Sequence, residues 1–227
     1  MAKSAAHLSR QIEASSPRRR SGKRLAGEIA LGAATLAIGG FAAYLARERS
    51  FEEAAYRTIE SDGAFSLRRY DPGLVAEYRQ YGAIADALNT GFRPLADYIA
   101  AKPGSREAGA TEKKIAMALP VIAVPADRAG AWAIRLTLPR AWTKLSLPKP
   151  ANGVAIQETP GRSIAALRFS GRGSDHELIA AKHAELLEWA RGRGLKIISE
   201  PEFAIYNSPI VPGALRRNEW WVEVERP

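Results

Sequence analysis

Cysteine is absent from this 227-residue sequence, and histidine occurs only three times. Without cysteine the chain forms no disulfide, offers no thiolate to a metal and has no cysteine nucleophile. His7 lies near the N-terminus. His176 and His183 are seven residues apart, so on a helix they lie about 10 Å apart along the axis and cannot bind one zinc ion together. Because His183 lies between Ile179 and Leu186 on an apolar helix face, we interpret it as a packing residue and only a weak candidate metal ligand.

The sequence also lacks the residue patterns of common catalytic sites. "GRGSD" (171–175) precedes a predicted helix, but it has neither the Lys-Ser/Thr ending nor the further glycine of a phosphate-binding loop, so it predicts a turn with a helix cap. The neighbouring pairs Glu52 with Glu53, and Glu185 with Glu188, fit solvated surfaces rather than acid–base chemistry. We therefore expect no enzymatic activity.

Positive charge is concentrated at one end of the sequence. Residues 1–24 contain seven Lys or Arg and one Glu, so this leader carries +6 of the formal net charge of +9. The remaining residues are almost balanced. A nucleic-acid-binding domain spreads its cations over a surface that faces the phosphates, so we expect no nucleic-acid partner.

A run of 18 uncharged residues, "IALGAATLAIGGFAAYLA" (29–46), follows the basic leader. As a helix it would be about 27 Å long, close to the thickness of a bilayer core. We interpret residues 1–24 as a basic cytoplasmic leader that is disordered. Residues 25–46 are then a single-pass membrane anchor, and residues 47–227 are the folded domain.

Two alternatives to the anchor remain open. The apolar run could belong to a cleaved signal segment, although the charged leader is long for one, or it could be a soluble alanine-rich helix. For an anchor, the excess of arginine predicts a cytoplasmic N-terminus and a folded domain on the other side of the membrane, which is the periplasm in a bacterial cell.

The rest of the sequence shows one order of elements twice: a strand, a helix and two further extended runs. Pro94 should kink the first helix or shift its register, and Ser174 with Glu177 forms a capping box that begins the second. We predict an α+β fold of two pseudo-repeated halves that pair their antiparallel sheets, each half with one outer helix. The predicted strands are residues 74–80, 114–124, 131–138, 163–170, 195–199 and 219–224, and the predicted helices are residues 83–101 and 174–191.

The last predicted strand follows an unusual connection, within "YNSPIVPGALRRNEWWVEV" (206–224). Connections are usually polar, whereas this one is apolar and two prolines stiffen it. Two arginines follow directly. The pattern indicates a rigid apolar lip with a basic exit.

Four segments of the sequence together resemble the SOUL haem-binding protein family. They are "SLRRYDPGLVAEY" (66–78), "TGFRPLADYI" (90–99), "KIAMALPV" (114–121) and the segment 206–224, in the order and spacing of the family. The resemblance covers about residues 51–225. It implies a distorted antiparallel β-barrel, or paired sheets, built from two halves with a helix outside each.

The sequence also departs from the family pattern. Some members have a histidine, considered as an iron ligand, where Arg69 stands, and the usual threonine is replaced by Ala118. The resemblance places a haem groove between the first helix and the final hairpin, often without a firm axial ligand. The corresponding residues here are Asn89, Phe92, Arg93 and Ala96 from the helix, and Tyr206, Ile210, Val211, Leu215, Arg216 and Arg217 from the hairpin.

The resemblance therefore implies a membrane-tethered protein that binds haem or another tetrapyrrole non-covalently, for buffering, storage or transport. Apolar side chains of the lip would cover the porphyrin, and Arg93, Arg216 or Arg217 would meet the propionates. Two alternatives stay open. One is a small-molecule hydrolase, by analogy with related two-half folds, and the other is an interaction module without a ligand.

Overall fold

The structure is a computed structural model that describes residues 40–225. The chain divides into two compact units, Met1–Arg49 and Ser50–Pro227. In the first unit, residues 40–49 are helical (α1). The predicted leader and residues 25–39 of the predicted membrane segment lie outside the described residues. Within residues 40–225, no helix has the length and hydropathy needed to cross a bilayer.

The second unit contains eleven β-strands, two α-helices and a short 3-10 helix, in the α+β arrangement predicted from the sequence. The strands are β1 Glu52–Glu53, β2 Tyr56–Asp62, β3 Phe65–Tyr70, β4 Gly73–Tyr81, β5 Ala118–Leu119, β6 Val121–Pro125, β7 Ala131–Thr137, β8 Ala155–Thr159, β9 Arg162–Phe169, β10 Glu202–Ile205 and β11 Asn218–Val224; the helices are α2 Ile84–Ile99, α3 His176–Gly192 and the 3-10 helix Gly213–Leu215.

The predicted repetition of elements is present, but the halves join differently from the prediction. β4, α2, β6 and β7 form one half, and β9, α3, β10 and β11 form the other. The nine strands lie in the order β2-β3-β9-β11-β10-β6-β7-β4-β8. β10 and β6 are hydrogen-bonded antiparallel neighbours, so the halves meet edge to edge in one sheet. The expectation of paired sheets or a barrel is therefore corrected to a single open sheet, with β1 and β5 as a separate parallel pair.

Three local predictions also need correction. The predicted strand 195–199 is reduced to one bridge at Ile197, and the strand lies at β10 instead. Pro120 divides the predicted strand 114–124, because a proline donates no hydrogen bond to a ladder. The N-cap of α3 is Asp175 rather than Ser174, since the Asp175 carboxylate accepts a hydrogen bond from the Leu178 N–H at 3.1 Å. α2 is continuous through Pro94.

Two short links force the sheet to curl. In a flat sheet β3 and β4 would lie about 29 Å apart, because six strand spacings of about 4.8 Å separate them. Asp71 and Pro72 alone connect these strands, and such a link spans about 11 Å at most. Pro160 and Gly161 connect β8 to β9 under the same constraint. The two ends of the sheet therefore approach one another, although no hydrogen bonds pair β2 with β8.

The curl gives the sheet an outer and an inner face. α2 and α3 cover the outer face, which holds the larger apolar core. α2 lies so close to β7 that a Cβ at Gly91 would be 2.7 Å from Cγ1 of Ile134. The inner face carries a smaller apolar cluster that includes Tyr70 and Trp221. That face is concave, because residues of β3, β4, β6, β7, β9 and β11 line one small cavity there.

A buried carboxylate organises the inner face. Glu219 is fully buried and is the second residue of β11. Its Oε2 accepts hydrogen bonds from Arg68 at 2.7 Å, Trp221 at 2.7 Å and Tyr206 at 3.1 Å. Its Oε1 accepts from Arg68 at 3.2 Å and from Arg217 Nε at 3.0 Å, with Arg217 Nη2 at 2.9 Å. Both oxygens are thus saturated with donors.

The energetic balance of this site depends on the two arginines. Burial alone would raise the pKa of Glu219, but the hydrogen bonds and charge of Arg68, together with the charge of Arg217, outweigh it and hold the pKa below its ordinary value. The carboxylate therefore stays ionised. Removing one member of such a group leaves an uncompensated charge in a region of low dielectric.

We expect Glu219→Gln to lower the free energy of unfolding by about 3–5 kcal/mol, because it leaves Arg68 and Arg217 without their buried counter-charge. Glu223→Gln, on the same face of β11, is the matched control. Its carboxylate is partly exposed and lies 3.8 Å from Arg162, so we expect a loss below about 1 kcal/mol. Urea denaturation of both variants measures the difference. Equal losses in the two variants would contradict the proposed role of Glu219.

Candidate functional site

The connection between β10 and β11, residues 206–217, is the lip predicted from the sequence. Ile210 and Leu215 are 71% and 59% exposed, so the loop presents two large apolar side chains to solvent five residues apart. Val211 is completely buried, so the expectation that all three form a partly exposed lip is wrong for Val211. This valine anchors the loop in the core and leaves its two neighbours facing solvent.

Arg216 holds the lip in shape from within. Its Nε donates to the carbonyl of Val211 at 2.6 Å, and its Nη2 donates to the carbonyl of Pro209. The backbone N–H of Val211 donates to the carbonyl of Ser208 at 3.1 Å. The two prolines of the lip by themselves predict a rigid loop. The structure adds a guanidinium clamp to them.

The interactions of the Arg217 guanidinium all lie on the inner face. Its guanidinium lies 3.6 Å from the centre of the Tyr206 ring, donates to Glu53 at 2.9 Å and pairs with Glu219. Burial raises the pKa of the Tyr206 phenol well above its ordinary value, so this ring stays neutral. Tyr206 and Arg217 therefore lie at the base of the lip, and the proposed pairing of Arg217 with a propionate would compete with two carboxylates.

The predicted residues of α2 share one face of that helix. Phe92 and Ala96 are half-buried, while Asn89 and Arg93 are exposed. Arg93 lines a depression of about 300 Å³ that faces Tyr78 on the side of β8. Because Asn89, Phe92, Arg93 and Ala96 are spaced i, i+3, i+4 and i+7 on a continuous helix, they lie within one arc of about 100°. Among residues 40–225 no hydrogen bond or ion pair engages the Arg93 side chain.

The lip and α2 lie at the same end of the outer face. Ile205, the last residue of β10, pairs with Val121, the first residue of β6. α2 packs on β6, and its last residue, Ile99, accepts a hydrogen bond from Ile115, just before β5. The lip itself is fixed on the side of α3, because Gly171 donates to the carbonyl of Gly213 at 3.0 Å. A Cβ at Gly213 would lie 2.9 Å from Cγ of Arg172, so a larger residue there would require the Arg172 side chain to move.

The inner face leaves little room for a ligand. Its cavity, bounded by Tyr70, Arg162 and Trp221, measures about 60 Å³. Sites for small molecules measure about 300–1,000 Å³. The inner face is therefore filled by its own side chains, and an open site has to lie elsewhere.

Sequence reasoning missed a larger cleft beside the two links that close the curl. It measures about 710 Å³ and is mostly apolar. Three prolines at strand ends, Pro72, Pro139 and Pro160, are the feature of the sequence that could have indicated this cleft. They stiffen the chain there and carry no backbone N–H donor. The lining residues are Pro72, Gly73, Leu74, Leu138, Pro139, Arg140, Trp142, Glu158, Thr159 and Pro160.

His183 is a packing residue in this structure, as its sequence position predicted. Its ring centre lies 5.0 Å from that of Trp220. Its Nε2 is enclosed and has no hydrogen-bond partner among the described residues. Burial lowers the pKa of His183.

Residues 40–225 contain no group of three or more His, Cys, Asp or Glu placed to hold a metal ion. Arg69, at the position where some family members have a histidine, donates to Ser163 Oγ at 3.1 Å.

The lowered pKa of His183 predicts a pH-dependent stability. The unfolded chain binds the imidazole proton with an ordinary pKa of about 6.5, more tightly than the folded protein does. The unfolding free energy should therefore fall as the pH drops from about 7 towards 5, in the region between the two pKa values. His183→Phe keeps a ring against Trp220 and should reduce this fall, whereas His176→Gln, on the exposed first turn of α3, should not. Identical pH profiles for His183→Phe and the unmodified chain would contradict the prediction.

Solved structures similar to this protein show its fold alone. The EcmrR–DNA complex has a TM-score of 0.51 at 14% identity and covers 90% of this chain and 69% of that chain. The C-terminal domain of EcmrR has a TM-score of 0.47 at 11% identity, covering 76% and 99% of the two chains. A hydrolase from Listeria innocua has a TM-score of 0.48 at 12% identity, covering 74% and 94%.

The sequence comparisons identify a family for this chain but no individual protein of known function that resembles it. No protein of curated function matches the chain. The family model described as SOUL heme-binding protein matches residues 51–223. This match includes both repeated halves, the lip and the buried carboxylate, which together form nearly the whole second compact unit. The chain belongs to the SOUL haem-binding protein family.

Proposed function

We propose that this protein binds haem or a related tetrapyrrole non-covalently on the outer face, between the lip and the flank of α2 that carries Phe92 and Ala96. The observation that carries the proposal is the exposure of Ile210 and Leu215 on a loop that is otherwise anchored. Large apolar side chains held rigidly in water lose little conformational entropy when a flat apolar ligand covers them.

The charges at this end of the molecule fit the acidic edge of such a ligand. Arg93 is exposed and has no ion-pair partner among the described residues, so a propionate would compete with water only. Arg216 and Arg217 hold the lip and its base through their own hydrogen bonds. We assign Arg93 the contact with a propionate, and the other two arginines the positioning of the loop.

We propose a binding role rather than a catalytic one. His183 Nε2 is enclosed, so we assign it no iron contact. A bound haem would supply its own redox and ligand chemistry, and the protein would contribute the apolar surface and the cation. Transport, storage and buffering all need such a surface.

We also propose that residues 29–46 tether the domain to a membrane. The support is the uncharged run that follows a basic leader in the sequence. In a bacterial cell the leader would be cytoplasmic and the haem-binding domain periplasmic.

The binding proposal predicts that Ile210→Ser together with Leu215→Ser weakens hemin binding by about a hundredfold or more, because two apolar contacts of about 1.5 kcal/mol or more each are lost. Titration of the full chain with hemin, followed by the Soret absorbance, measures this. Ile59→Ser with Ile198→Ser is the matched control, since both isoleucines are about half exposed elsewhere on the surface, 47% and 52%. Hemin affinity that falls equally in both double variants would overturn the proposed surface.

The roles of the arginines can be separated by salt. Arg93→Ala should weaken hemin binding modestly, and the loss should shrink at high salt, because an exposed ion pair is screened. Arg216→Ala should weaken binding at every salt concentration, since it releases the carbonyls of Pro209 and Val211 that shape the lip. The same titration at low and high salt measures both effects. A salt-independent loss for Arg93→Ala would remove it as the propionate contact.

The membrane proposal predicts that the full chain sediments with membranes and resists extraction by high salt and alkaline carbonate. Protease added to the outer side of spheroplasts should degrade the folded domain and leave the basic leader protected. Deletion of residues 1–46 should release the remaining chain in soluble form. Recovery of the intact full chain in the cytosolic fraction would contradict the proposal.

A further inference from the structure

The cleft of about 710 Å³ beside the curl has no role in the function proposed above. We propose that it is a separate binding site for a single long acyl chain with an anionic head, such as a fatty acid. The cleft and the lip are built from different elements. The cleft is bounded by the β3–β4 link, the β8–β9 link and the connection after β7, whereas the lip is the β10–β11 connection.

The walls of the cleft favour an apolar ligand. Leu74, Leu138 and Trp142 contribute apolar side chains. Three prolines stiffen the rim, so the cleft does not depend on a mobile loop for its shape. Its volume lies within the range of about 300–1,000 Å³ that is typical of small-molecule sites.

The cleft continues towards the inner face. Seven of its lining residues also line the inner cavity of about 60 Å³, which ends at Tyr70 and Trp221. The inner cavity has room for the narrow end of a chain but not for a ring system. A ligand that fills both spaces is therefore wide or polar at its outer end and narrow and apolar at its inner end.

The charges around the cleft orient such a ligand. Two charged side chains line the cleft itself, Arg140 and Glu158. Lys144 lies 3.3 Å from Glu158, whereas the nearest carboxylate to the Arg140 guanidinium, that of Glu52, is 3.8 Å away. Arg140 is thus the cation with the weaker partner, and it can pair with an anionic head. Glu52 and Asp71 line the inner cavity and repel a carboxylate, and the Arg162 guanidinium there is already paired with both oxygens of Glu202, so the head stays outside.

This charge distribution also limits the class of ligand. The cleft offers one weakly paired cation, Arg140, and one carboxylate, Glu158, which Lys144 neutralises. It therefore cannot bind a polyanion such as a nucleotide with high affinity. Apolar contact has to supply most of the binding free energy. An acyl chain with one negative charge meets both conditions. The chain could come from a free fatty acid or from an anionic phospholipid, which share this chemistry.

Leu145 lies in the connection that forms one wall of the cleft, and it is almost fully exposed, at 99%. The turn that carries it is ordered. The Thr143 N–H donates to Ser146 Oγ at 2.9 Å, and the Ser146 N–H donates to Thr143 Oγ1 at 3.2 Å. Leu147, two residues further, is buried in the core. An exposed leucine on a fixed turn beside the cleft fits contact with the same acyl chain or with the bilayer that supplies it.

The test uses the full chain and a diazirine-bearing analogue of palmitic acid, which labels the residues around its tail on illumination. We expect peptides that contain residues 72–74 and 138–142 to be labelled. Gly73→Leu fills the cleft without backbone strain, because a Cβ there meets only Thr159 Oγ1, at 3.6 Å. It should reduce labelling about tenfold or more. Gly192→Leu, at a glycine with open space around it, is the control and should leave labelling unchanged.

Further experiments distinguish a free fatty acid from a phospholipid as the source of the chain, and the cleft from the lip as the site. Competition by unlabelled palmitate alone indicates a free fatty acid, and competition by phosphatidylglycerol vesicles but not by phosphatidylcholine vesicles indicates a phospholipid. Arg140→Ala should weaken labelling several-fold, and Arg140→Lys should retain it. If Gly73→Leu does not fold, Thr159→Leu fills the cleft from the opposite wall.

Hemin affinity should be the same in the unmodified chain and in Gly73→Leu. If the Gly73→Leu variant instead loses hemin binding, the cleft is the tetrapyrrole site and the proposal of a separate acyl site is overturned. Labelling that is spread over the surface and insensitive to Gly73→Leu overturns it as well. Failure of hemin binding in every variant, with intact labelling at the cleft, would affect only the function proposed above.

Discussion

The ionised carboxylate of Glu219 is the constraint on which the rest of the domain depends. It lies on the concave face and accepts hydrogen bonds from residues of β3, β11 and the lip. Arg217 transmits this contact to Glu53 in β1. One charge therefore fixes the ends of segments that are far apart in sequence. A buried ion group of this kind adds little net stability, but it penalises every arrangement in which its partners are separated.

The short links between strands explain where ligands can and cannot bind. Because β3 is tied to β4, and β8 to β9, by two residues each, the sheet has to curl. The curl encloses the inner face, and the network around Glu219 fills it. The lip lies on the outer face and the cleft lies beside the links, both outside the filled inner face. The two proposed sites thus follow from one geometric condition.

Much of the architecture could be predicted from apolar periodicity, since a period of 3.6 identified α2 and α3 and extended runs identified β4, β7, β9 and β11. The joining of the halves through β6 and β10 could not, because a strand's neighbours depend on contacts distant in sequence. β2 and β3 could not be predicted from the sequence for a similar reason, because their charged residues, such as Arg68, have partners about 150 residues away. In the site, the exposure of Ile210 and Leu215 followed from the apolar loop. The burial of Val211 and the commitment of Arg217 to Glu219 depended on tertiary packing.

β11 lies in the interior of the sheet, with β9 on one side and β10 on the other, yet every other strand precedes it along the chain. During synthesis, eight of the nine strands therefore leave the ribosome before β11, which joins β9 to β10. Until then Arg68 has no counter-charge, and β9 and β10 have no partner between them. Assembly of the sheet has to wait for almost the whole domain to emerge, which exposes unpaired strand edges during synthesis. A chain truncated before residue 218 should not retain a smaller version of the fold, and it should depend on chaperones to remain soluble.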